Sequence, residues 1–288
     1  GTHDVVPLST VARWFNKRRG LVTGLTKVGT SIGQMIIPPF TAYLIINYGL
    51  KNSLIILGII ASTILVFAAL LMSHPPHTET NEKKVPRNGI KSENRSSRTF
   101  KKLCAIQFLF FPTLMTVPTH IAVYGIDIGM TFSQAALLLT TIGASSIFGR
   151  LAIGVFLDFM GSRNAYILCF LPIIFSLIGF LGLTNHKLLF FLIAIYGFGH
   201  GGLFAVVSPT VAGYFGMEEH GALFGTILFC GTLSGAIGPI LTGYAFDRFG
   251  NYEISFIVLT LTMAIGLVLI LTLPSWQKDA PKMQKKSQ

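Results

Sequence analysis

The chain predicts an all-α, polytopic membrane protein, and three observations carry that reading. Of its 288 residues, 51% are hydrophobic and only 11% charged, where a soluble domain carries about 25% charged residues; the mean hydropathy is +0.65. Eight segments stay apolar for roughly 20 residues, the helix length that crosses a bilayer core. The basic residues also alternate: 17 of the 22 Lys and Arg fall in the connectors on one side of the eight spans, three on the other, and two inside spans. By the positive-inside rule the richer side faces the cytoplasm.

The spans lie at about 20–46, 53–72, 103–126, 134–157, 165–184, 187–212, 220–243 and 254–273. The first opens after the basic cluster Arg13, Lys17, Arg18 and Arg19 and carries Gly20, Gly24, Gly29 and Gly33. The turn "NYGLKN" (47–52) separates it from the second. A long polar connector, 73–102, then reads as a flexible linker between a two-span piece and a six-span piece. In the third span, Pro112 and Pro118 predict a loosened helix around "PTHIAVYGID". The fourth holds Arg150 among apolar and small residues, and "DFMGSR" (158–163) joins it to the fifth. The sixth contains "GFGHGG", whose glycines read as close packing. The seventh carries Gly231, Gly235 and Gly238, expected to let helices approach where no hydrophobic force acts between them. "DRFGNYE" (247–253) leads into the last span, and a basic tail follows at 275–288.

Several function classes drop out. The net charge of +11 does not point to nucleic acid, because the basic residues sit between apolar segments instead of forming one patch. Cys104, Cys169 and Cys230 lie in apolar segments at no metal-ligand spacing and read as small buried hydrophobes. "MEEHG" (217–221) lacks the second histidine of a zinc-protease motif. Neither a P-loop nor a dinucleotide fingerprint occurs, so neither an enzyme nor an ATP-driven pump is expected, and neither a metal nor a cofactor. The opening "GTHDVVPLST" has no charged-then-apolar leader and no Met, and fits a fragment whose start lies upstream.

The stretch "VARWFNKRRGLVTGLTKVGTSIGQ" resembles a signature of the major facilitator superfamily, in its monocarboxylate-transporter and oxalate:formate-antiporter branch. Residues 124–163, 196–216 and 231–252 are similar to that family's C-terminal half, and the resemblance runs from about Val11 to Pro274. It implies a major-facilitator-type bundle with about eight of twelve helices present. Residues 1–72 would be the end of the N-terminal half, 73–102 the central cytoplasmic loop, 103–274 the C-terminal six-helix half and 275–288 a cytoplasmic tail. The function implied is secondary transport of a small organic anion by alternating access, across what is expected to be the plasma membrane, with a proton or counter-anion as partner. A truncated, non-transporting relative with a regulatory or scaffold role is the alternative; an intramembrane enzyme ranks far below both.

Arg150 is the leading site candidate. An arginine inside a span costs about 2.5–3.5 kcal/mol or more, and Asp158 already marks the cytoplasmic end ~12 Å away, which strains snorkelling. A guanidinium facing the cavity could hold a carboxylate in bidentate fashion, and in the resembling families the arginine of the eighth helix does contact the anion. Two departures from those families bear on the substrate. Cys230 stands where oxalate-handling relatives have a lysine, which favours a monocarboxylate. Ser146 stands where many animal monocarboxylate transporters have the aspartate of proton coupling. His120, with Tyr124 one turn on, is the next candidate pair, with plain packing as the competing reading. Lys27 is expected to snorkel to the interface. Asp158 and Arg163 resemble a weakened cytoplasmic latch motif, which with Arg18 and Arg19 implies a gate.

Overall fold

The computed structural model describes residues 19–71, 94 and 96–274. Arg18, nearly all of the linker before Ser97, and the 275–288 tail lie outside the described residues, as does the side chain of Arg19. Within them the regular structure is helical: α1 (Arg19–Leu71), α2 (Arg98–Asp127), α3 (Phe132–Gly179), α4 (His186–Phe215), α5 (His220–Phe249) and α6 (Glu253–Leu271). All six are long and apolar enough to cross a membrane.

Two of the six are double. At 1.5 Å per residue, the 53 residues of α1 and 48 of α3 would run to about 80 and 70 Å, far beyond a ~30 Å bilayer core. Each is broken by one glycine, Gly49 (φ 72°, ψ 166°) and Gly161 (φ 77°, ψ 167°), in a backbone region that essentially only glycine visits. Residues flanking Gly161 must reverse direction. Thr131, just after α2 ends at Asp127, opens α3, yet Phe180 just past its far end accepts a hydrogen bond from the Tyr124 hydroxyl of that same end of α2. Counting the arms, the described residues hold eight membrane-length segments, in the order the sequence predicts.

Local chemistry sets the boundaries. Thr131 and Gln134 form a reciprocal capping box at the start of α3, and the Asn185 side chain accepts from the backbone of Lys187 and Leu188 at the start of α4. Contrary to the loosened helix expected around Pro112 and Pro118, α2 runs unbroken through both, because neighbouring helices support the backbone where the prolines cannot.

Glycines set the spacing between helices. In α4, Gly197 meets Ser145 and Ile142 of α3, Gly199 lies against the Cys169 carbonyl, and Gly201 against that of Ser146. Gly202 touches both Ile153 and Cys169, so α4 packs on the two arms of α3 at once. Along α5, Gly231, Gly235 and Gly238 fit against Gln107, Phe111 and Thr116 of α2. Among the described glycines of α1, Gly24 makes such an approach, to the Arg150 backbone, while Gly29 and Gly33 meet open space. The arm of α1 beyond Gly49 contributes little to the core: Leu54, Ile64, Leu65 and Leu70 are all exposed, an apolar surface suited to lipid or to further helices.

Side-chain bonds from helix ends to neighbouring backbone tie each end of the bundle. On the linker side, Lys102 donates to the Thr272 carbonyl and Tyr214 to that of Pro274. On the far side, Tyr124 donates to Phe180 and Leu183 carbonyls, and the His186 ring bonds the Ile128 carbonyl.

Candidate functional site

Arg150 is buried, at 2% exposure. Its guanidinium donates from Nη1 to the Lys27 carbonyl at 2.7 Å and to the Ser31 hydroxyl, and lies 5.5 Å from the centre of the Phe204 ring. Gly24, Lys27 and Ser31 recur at three- and four-residue steps, so one stripe of α1 faces this arginine. Gly24 lets the backbones close to contact: a Cβ there would lie 2.5 Å from the Arg150 carbonyl.

Lys27 does not snorkel. It is 7% exposed, and its Nζ lies 5.6 Å from the centre of the same Phe204 ring. The stripe that carries Ser31 to Arg150 also turns Lys27 inward, and the aromatic face replaces part of the lost hydration. Two cations, one from α1 and one from α3, therefore share a single phenylalanine of α4.

Ser146 lies one turn before Arg150 and is buried. Its hydroxyl donates to the Gly197 carbonyl at 3.0 Å and lies 3.1 Å from His200 Nδ1. His200 packs its ring against Tyr196 and Phe204 at 5.6 and 5.1 Å.

These groups adjoin a narrow cavity lined by Lys27, Gln107, Phe111, Leu114 and Phe204, with room for about one water molecule (≈ 10 Å³). Cys230 does not line this cavity; it precedes Gly231 of α5, which packs on Gln107.

The other expected residues sit elsewhere. His120 is half-buried and its Nε2 bonds the Pro239 carbonyl at 3.0 Å. Tyr124 donates to two carbonyls, and both rings pack on Tyr252. Along α2, His120 lies ~20 Å and Tyr124 ~25 Å from Gln107 at the helical rise. The two are together, as expected from their spacing, but in a far-side aromatic cluster and not beside Arg150. In that cluster, burial and then the carboxylates of Asp127 and Asp247 push the Tyr252 phenol up to about 12. At the linker side, Asp158 accepts from the Leu21 backbone N–H at 3.4 Å, a contact between α1 and α3. Arg163 lies beyond the break at Gly161, and among the described residues no ion pair joins it to Asp158.

Four residues of this centre are not legible as site residues in the sequence: Lys27, Gln107, His200 and Phe204. Each is a polar or aromatic residue in an apolar span. For Gln107 and His200 that isolation is itself a signal, since polar side chains within membrane helices face the bundle interior.

Comparison with known proteins bears on the geometry. A family model described as Major Facilitator Superfamily matches residues 2–184 and 103–288. The chain is 27% identical to the aspyridones efflux protein apdF of Emericella nidulans, over 85% of this chain and 50% of that protein. It is 23% identical to monocarboxylate transporter 12 of Xenopus laevis (91% of this chain, 63% of that one) and 26% identical to monocarboxylate transporter 13 of Rattus norvegicus (93% and 62%). The chain spans about half to three-fifths of the length of these relatives.

Proposed function

The chain belongs to the Major Facilitator Superfamily as a monocarboxylate-transporter-like, multi-pass membrane protein, and from that premise we propose that the protein carrying it moves a small organic anion, a monocarboxylate, by alternating access. Arg150 holds the carboxylate. The observation that carries this is the buried guanidinium whose Nη1 donates to the Lys27 carbonyl and the Ser31 hydroxyl of α1: it ties a helix assigned to the C-terminal half to one assigned to the N-terminal half, the two bodies that rock in such folds. When they part, Nη1 is released and, with a second guanidinium nitrogen, holds an incoming carboxylate in bidentate fashion.

The organisation that fits is 1–72 as the end of the N-terminal half, 73–102 as the central loop, 103–274 as the C-terminal half and 275–288 as a tail. Loop and tail face the cytoplasm of a plasma-membrane protein, which the distribution of Lys and Arg supports. Ser146 and Cys230 line the route beside Arg150, and Asp158, with Arg163, Arg18 and Arg19, closes the linker side. The relatives named as monocarboxylate transporters support an organic anion, and the driving partner is a proton or a counter-anion.

The test is uptake of labelled pyruvate, lactate and formate by the full-length protein in proteoliposomes, beside the Arg150→Lys variant. Loss of saturable uptake in the variant supports the clamp; normal transport by Arg150→Lys overturns it.

A further inference from the structure

We propose that Gln107 is a substrate-binding residue that reads a second polar group on the carried acid, so that the site selects against carboxylates whose remainder is wholly apolar. This rests on the carboxylate reading of Arg150 and deepens it.

Gln107 is 1% exposed, yet neither its amide nitrogen nor its amide oxygen has a hydrogen-bond partner among the described residues. Thr113 and Thr116 on the same helix also have hydroxyls without partners, but a threonine hydroxyl in a helix can turn to the carbonyl one turn back. A primary amide carries two donors and an acceptor and cannot be satisfied that way. Leaving it buried and unpaired is costly, and buried polar groups are paired in the great majority of cases. A glutamine held in this state is a group waiting for a partner.

Its placement says which partner. Gln107 lines the same cavity as Lys27 and Phe204, and Phe204 is the ring on which the Arg150 guanidinium rests. The amide enters the cavity from α2, and Lys27 of α1 lines the same cavity. On its other flank, Gly231 of α5 lies so close that a Cβ there would fall 2.7 Å from Gln107 Cγ. This glycine makes room for the side chain and closes off the direction away from the cavity. With the carboxylate on Arg150, the carbon beside the carboxylate is the part of a short acid that Gln107 reads. A carbonyl oxygen there accepts from the amide N–H, a hydroxyl can donate to the amide oxygen, and a methylene does neither and leaves the amide unpaired.

Pyruvate and propionate test this, since they have nearly the same shape and differ in the oxygen next to the carboxylate. The full-length protein in proteoliposomes should take up labelled pyruvate about ten-fold or more faster than labelled propionate, because a site built to hydrogen-bond a substrate group rejects the analogue lacking it. Gln107→Leu should bring the two rates within about two-fold, by slowing pyruvate and sparing propionate. A ratio within one preparation is insensitive to how much protein folds. Thermal unfolding supplies the second readout: replacing an unpaired buried amide with an apolar side chain should leave Tm unchanged or raise it, as for a residue kept for function at the expense of stability. A Gln107→Leu ratio equal to wild type, or a wild-type protein that takes both acids equally, overturns the proposal while leaving the Arg150 clamp standing. Uptake of neither acid overturns the carboxylate reading, and this assignment with it.

Discussion

Arg150 on α3 donates a 2.7 Å hydrogen bond to the carbonyl of Lys27 on α1, a residue 123 positions away in the chain. The bond crosses between the two pieces that the long linker separates, and both residues place their charge against the ring of Phe204. Under the proposed rocking of the two pieces, this seam is where bonds would be broken and remade.

A point charge cannot replace the fork. In Arg150→Lys the ammonium keeps the charge but loses the planar pair of donors, and a charge-assisted hydrogen bond contributes about 1.5–3 kcal/mol. Pyruvate uptake is expected to fall by about ten-fold or more, with the variant still eluting as a single detergent-solubilised species. Unchanged uptake means the guanidinium is a helix tie and nothing more.

The Ser146 hydroxyl bridges the Gly197 carbonyl and His200 Nδ1. Ser146→Ala leaves both buried without that partner, at a cost of about 1–3 kcal/mol. A lower Tm is the expected result, and an unshifted unfolding curve would show that α4 regains these bonds by relaxing.

The reversal at Gly161 needs a residue tolerant of φ 77°, ψ 167°. Gly161→Ala should cost about 1–3 kcal/mol, seen as reduced Tm and yield. Gly58→Ala is the control: it lies inside α1 where an added Cβ meets nothing within 4 Å, so no loss is expected there.

Close packing makes a sharper demand at Gly149, where an added Cβ would collide with the Phe198 carbonyl of α4. Overpacking a tight contact costs about 1–3 kcal/mol, and the obstacle here is backbone, which cannot swing aside. Gly149→Ala should unfold at lower temperature than Gly225→Ala, whose added Cβ meets open space.

His120→Ala and Tyr124→Phe separate the far-side cluster from the centre. Each removes hydrogen bonds to backbone carbonyls and should cost about 1 kcal/mol of stability, while the KM for pyruvate stays within about two-fold. A raised KM in either variant would extend the substrate route to that end of α2.

Much of this was readable from residue order. Arg150 stands out because an arginine is costly in a span, and the glycines of "GFGHGG" and of Gly231, Gly235 and Gly238 read as packing positions, which they are. His120 and Tyr124 were placed together by their four-residue step but not at the right depth, because helical spacing says which residues share a face and nothing about what lies opposite. Lys27 misled for the same reason. Its distance from the "NKRRG" cluster made an interfacial ammonium reasonable, and only its stripe on α1, shared with Gly24 and Ser31, turns it against Phe204.

The sequence by itself determined that the chain crosses a bilayer repeatedly, how many arms it uses and where they turn. Those properties depend on apolar length, charge placement and single glycines, all local. Tertiary structure alone decided which polar side chains meet: Arg150 with Lys27 and Ser31, His200 with Ser146, and Gln107 with nothing among the described residues. In a medium without water, each buried polar group takes its partner from whichever helix packs nearest, and that neighbour is set by contacts between residues far apart in the chain.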